Sequence, residues 1–174
     1  MKRLASIIVA LPIVLLFGGN NFAGEGTPVP KMQPNVGFDK LRPLVGKWRG
    51  TSNEGKAVKV SYALVSDGSA LEEKIDEGSD HEMVTVYHPD GDSLMMTHYC
   101  AAHNQPRMRA KTVSPESRTL SFDFVDATNL PSPDAMHMHK LVVTLQDKDH
   151  LVQEWTWTSK EKEGTVVLRL ERTK

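Results

Sequence analysis

The chain predicts an all-β protein, an antiparallel up-and-down β-barrel of about ten strands, and three observations carry that reading. Short alternating runs recur from residue 46 to residue 172, such as Val58-Lys59-Val60-Ser61-Tyr62 and Leu120-Ser121-Phe122-Asp123-Phe124. Side chains that leave a strand on opposite faces in turn produce that period of two. Hairpin-sized links separate the runs, among them Asp67-Gly68, Asp90-Gly91 and Ser114-Pro115, and Asp-Gly is a strong tight-turn signal. Helical periodicity is almost absent. Evenly spaced strands on short links make a meander, and closure into a barrel removes its exposed edges. A two-sheet sandwich is the alternative that spacing leaves open.

Residues 1–23 read as a signal peptide. Lys2-Arg3 is a basic start, residues 4–17 an apolar run, and Gly18-Gly19-Asn20-Asn21-Phe22-Ala23 a small, polar end. The apolar run is too short for an ordinary membrane helix, and its flanks suit cleavage after Ala23. The expected address is periplasmic or secreted, with no transmembrane span in the mature chain. Without Lys2 and Arg3, 19 basic side chains face 22 acidic ones, and the formal charge moves from −1 to −3. A slightly acidic domain without a basic run is not built for nucleic acid. Cys100 is the only cysteine among 174 residues, so an internal disulfide is impossible.

Residues 24–37, with Pro28, Pro30 and Pro34, form the expected flexible leader. The domain then runs over 38–174. Asp39 is the expected N-cap of one short turn, limited by Pro43. Gly46 bends the backbone into the first strand, and Trp48 offers an apolar body to close one end of the core. Further strands are expected over 58–64, 71–75, 83–87, 94–100, 107–113, 120–124, 136–145, 150–158 and 165–172.

Phe38-Asp39 followed by Gly46-Lys47-Trp48 resembles the opening motif of the lipocalins, with a gap one residue longer than usual. Gly46-Lys47-Trp48-Arg49-Gly50-Thr51-Ser52 is also similar to the Gly-x-Trp-x-Gly-x-Gly start of nitrobindin-type haem-binding barrels, with Ser52 in place of the third glycine. Both belong to the calycin group, and small uncharacterised exported barrels share the motif. The resemblance implies a ligand-binding barrel in which Trp48 packs near a basic residue of the last strand. Arg169 or Arg172 would serve.

Alternation nominates the residues facing the lumen. Leu151, Gln153, Trp155 and Trp157 share one face, as do Val60, Tyr62 and Leu64. His137 and His139 share a face with Leu141, Val143 and Leu145. Such a lumen would hold a small apolar or amphipathic molecule, oriented by Tyr62, Glu73, Gln153 and histidines, or would simply be filled by these side chains. His98 is expected to face inward and Arg107 to stand at the rim, its guanidinium reaching carbonyls or an anionic ligand head. His98, Cys100 and His103 around the central turn offer nitrogen and sulfur donors to zinc or copper, although a buried cysteine also behaves as a small hydrophobe. The nitrobindin similarity implies haem, with His137, His139 or His150 as axial ligand. No cofactor is otherwise expected. No orienting third group completes a Cys100–histidine pair, so the chain reads as a non-catalytic carrier, with a haem or metal barrel as the alternative.

Overall fold

The computed structural model describes residues 31–174. The expected signal peptide and nearly all of the leader through Pro30 lie outside the described residues. Ten strands follow one another in chain order: β1 (Gly46–Ser52), β2 (Ala57–Val65), β3 (Ala70–Ile75), β4 (Met83–Asp90) and β5 (Ser93–Tyr99), then β6 (Gln105–Ala110), β7 (Thr119–Thr128), β8 (His137–Leu145), β9 (His150–Ser159) and β10 (Lys162–Arg172). Each pairs antiparallel with its neighbours, and β1 pairs with β10 to close the barrel. The period-two pattern is therefore a barrel pattern: Val58, Val60 and Tyr62 are buried on one face of β2 while Lys59 points out.

One end of the barrel is sealed. A short helix, α1 (Val36–Leu41), and a 3-10 turn (Arg42–Leu44) lie across it. Phe38, Leu41 and Leu44 are buried there, and burying each large side chain contributes roughly 2 kcal/mol. The helix begins at Val36, inside the span expected for the leader. Its N-cap is Asn35 rather than Asp39. The Asn35 carboxamide accepts from Phe38 N (2.8 Å), and its Nδ2 donates to Gly91 O and Ser93 O in the β4–β5 turn. Asp39 instead pairs with Arg42 across 3.4 Å. A cap must precede the helix with extended backbone, and Asn35 has it.

Trp48 is buried just inside this seal, donating its indole N–H to Leu44 O at 2.8 Å. The guanidinium over its ring belongs to Arg172, 4.3 Å from the centroid, and not to Arg169. Register explains the difference. Arg172 pairs directly with Trp48, whereas Arg169 pairs with Thr51 and points to solvent. Arg172 also donates to Val45 O and Pro43 O, tying the last strand to the seal.

Two irregularities break the alternation. Pairing shifts between Arg107 and Met108 on β6, and between Met138 and Lys140 on β8. The second reverses the facing of β8: Met138 and Leu141 line up with Trp157 and Trp155, while His139 becomes the extra, exposed residue. The expected inward facing of His139 is corrected by that bulge. No helix among the described residues is long and apolar enough to cross a membrane.

Candidate functional site

The end of the barrel opposite α1 is open. A cavity of about 230 Å³ lies there, walled by Ile75, Met83, Met138, Trp155, Val166 and Leu168. Glu54 and Lys56, paired at 2.8 Å, stand exposed at its rim. His98 is the imidazole in the lining. It is 1% exposed, and its ring packs 4.6 Å from that of Trp155. Nδ1 lies 2.9 Å from Thr85 Oγ1, while Nε2 is buried with no hydrogen-bond partner. Desolvation lowers its pKa from 6.5 to about 4, so the ring is neutral near pH 7.

Below the cavity a row of polar side chains crosses the barrel wall. Tyr62 pairs with Glu73 across β2–β3, Glu73 with Thr85 across β3–β4, and Thr85 with His98 across β4–β5. Direct cross-strand partners put their side chains on the same face. The row is thus written in the register. Glu73 is fully buried. Its Oε1 accepts from Tyr62 Oη (2.9 Å) and from Gln153 Nε2, its Oε2 from Tyr87 Oη (2.6 Å), and Thr85 is its register partner on β4. Trp155 Nε1 donates to Gln153 Oε1 at 3.0 Å, which orients the amide so that its NH₂ meets Glu73. Burial raises the Glu73 carboxyl above its usual range, and the donors from Tyr87, Gln153 and Tyr62 pull it back. Burial, followed by the charge on Glu73, holds both tyrosines well above their ordinary range, so they remain donors.

The residues nominated from sequence divide clearly. Trp155 and His98 line the cavity, and Tyr62 lies beneath it in the polar row. Trp157 is half-buried and lies over Gly164, where an added Cβ would come within 2.6 Å of its ring. His137 is buried against Phe124, at 4.7 Å, with Nδ1 donating to Ala135 O. His139 stacks on the same Phe124 ring, 5.1 Å away, but is exposed. Arg107 is exposed and bound to Asp126, its β7 register partner, with Nε and Nη2 donating to the two carboxylate oxygens. It faces solvent and does not reach the cavity, because the residue opposite it on β7 is an acid.

The central turn spreads its three candidate metal donors over different settings. His98 points into the barrel, Cys100 follows the end of β5 and is half-buried, and His103 is exposed in a left-handed conformation (φ 61°). No group of three His, Cys, Asp or Glu side chains is placed to hold a metal ion among the described residues. Burial raises the Cys100 thiol pKa, leaving it protonated at neutral pH. His150 caps its own turn with Asp147, at 2.9 Å. Thr85 and Tyr87 were not nominated from sequence. The alternation Met83-Val84-Thr85-Val86-Tyr87 carries their facing, but neither face of it is distinctly apolar.

No model of a known protein family matches the chain. A search of curated proteins finds no match either.

Proposed function

We propose that this barrel is an exported, non-catalytic carrier that takes a small, largely apolar molecule with one polar group into its open end. The observation that carries the reading is His98, whose ring lines an apolar cavity and whose buried Nε2 has no hydrogen-bond partner. Leaving such an atom unsatisfied costs about 1–3 kcal/mol, which a bound ligand or an ordered water recovers. The lining of Ile, Met, Trp, Val and Leu supplies the apolar complement. Export rests on the signal-like residues 1–23. The protonated Cys100 thiol favours binding over catalysis. The lipocalin-like opening at Gly46-Lys47-Trp48 agrees with the carrier reading.

A cavity of about 230 Å³ sets the ligand's size. Drug-sized ligands fill roughly 300–1,000 Å³, and a dry engineered cavity of about 150 Å³ takes benzene. The cargo is therefore of the size of a one-ring aromatic or a short aliphatic chain. In the rival haem or metal reading, His98 replaces His137, His139 and His150 as the imidazole available to the interior. A tetrapyrrole does not fit this volume.

The test is a titration of the mature protein with phenol, followed through the methyl groups of Met83 and Met138 and the indole of Trp155. Saturable shifts confined to these residues, and abolished in Val166→Trp, are expected. Titration curves that never saturate, or shifts spread over the outside of the barrel, would reject the carrier.

A further inference from the structure

We infer that the cavity selects ligands whose polar group donates a hydrogen bond, an alcohol or a phenol, because the Glu73–Thr85 row turns the bare lone pair of His98 Nε2 toward the cargo. The inference rests on the carrier reading and adds the chemical class of the cargo to it.

Glu73 sets the direction of the row. Both carboxylate oxygens already receive phenol hydroxyls, Tyr62 on Oε1 and Tyr87 on Oε2, and Oε1 also receives the Gln153 amide. The amide cannot turn its oxygen there, since Trp155 N–H holds that oxygen from the other side. The Gln153 amide fixes Oε1 as an acceptor, and the two phenol hydroxyls complete the set as donors to an ionised carboxylate. The Thr85 hydroxyl has one hydrogen and three neighbours: Glu73, Tyr87, whose own hydrogen goes to Glu73, and His98 Nδ1. Given to the carboxylate, that hydrogen makes a charge-assisted bond, roughly twice as strong as a neutral one. Thr85 Oγ1 is then left as an acceptor toward His98. A neutral imidazole carries one N–H, and it must sit on Nδ1 to meet that oxygen. Nε2 is consequently a lone pair, buried and unpartnered, on a ring that lines the cavity. An aldehyde, a nitrile or a carboxylate brings another acceptor to this atom and gains nothing. A carboxylate would also enter an interior that already holds the Glu73 charge.

The opposite arrangement is chemically defined. A proton on Glu73, passed as a donor to Thr85, makes Thr85 donate to Nδ1 and puts the hydrogen of the imidazole on Nε2. The cavity would then select acceptors.

Two measurements decide between them. In protein labelled with nitrogen-15 at histidine, long-range proton–nitrogen correlations at pH 7 should show His98 protonated at Nδ1 and bare at Nε2. A hydrogen on Nε2 overturns the inference with no ligand present. Calorimetric titrations then compare phenol, toluene, benzaldehyde and benzoate, which share one ring. Phenol should bind about ten-fold or more tighter than toluene, the worth of one buried hydrogen bond. Benzaldehyde should bind no tighter than toluene, and benzoate not at all. In His98→Phe, checked for its fold by circular dichroism, the phenol advantage should shrink to about two-fold or less. Equal affinity of phenol and toluene in the unaltered protein overturns the ligand class and leaves the carrier standing. Failure of all four probes overturns the carrier and the ligand class together.

Discussion

Burial enforces a neutral ring at His98, whose pKa falls from 6.5 to about 4 on folding through desolvation. Between those values the unfolded chain binds a proton that the folded chain refuses. Stability is therefore full above pH 6.5 and is lost as the pH falls toward 4, by on the order of 3 kcal/mol in all. Glu73 opposes this trend, because its pKa is raised by burial and acid relieves the cost of its charge. The difference between proteins isolates the imidazole. Urea unfolding at pH 7 and pH 4 should show His98→Phe losing about 2–3 kcal/mol less stability on acidification than the unaltered chain. Equal losses would mean that the imidazole is protonated without cost inside the barrel. Glu73 was legible in the sequence, as an acid between Leu71 and Ile75 on an apolar face. Thr85 was not, since threonine suits either side of a strand, and only its register between Glu73 and His98 gives it a role.

Helix α1 is six residues long and would not persist alone in water. Asn35 holds it by capping Phe38 N and by donating to Gly91 O and Ser93 O, bonds that join helix to hairpin. Asn35→Ala should therefore cost about 2–3 kcal/mol, a lost cap plus two stranded carbonyls. Asp39→Ala, which breaks one exposed ion pair, should cost less than about 0.5 kcal/mol. Chemical denaturation of the two variants checks the contrast, and equal costs would move the cap back to Asp39. The sequence showed a helix start near Phe38 because Pro43 and the apolar pair Phe38–Leu41 bracket it. The exact cap escaped, since Asn35 adjoins a proline-rich leader and reads as part of it. The β8 bulge escaped for a related reason. Alternation counts every residue, and nothing in Met138-His139-Lys140 announces that one of them is skipped.

Closure of the barrel depends on the seam between β1 and β10. Gly50 sits on it opposite Leu170, and an added Cβ would lie 1.8 Å from Arg169 O, a backbone atom that cannot move aside. Gly50→Ala should cost more than about 3 kcal/mol or abolish folding. Gly55→Ala, with nothing within 4 Å but φ +80°, should cost only about 1 kcal/mol of backbone strain. Thermal unfolding and soluble yield distinguish them, and similar melting temperatures would show that the seam can open to admit a methyl group. Turn residues and alternation made the strand count and antiparallel order readable, because both are local. Which strand closed on which was expected from topology alone. That seam also sets a timetable. A ribosome or a secretion channel delivers β1 long before β10, and Trp48 waits for Arg172 throughout. Contacts between the ends of a chain form slowly, because loop closure must come first. A strand without its partner stays open to chaperones until β10 arrives to close the seam.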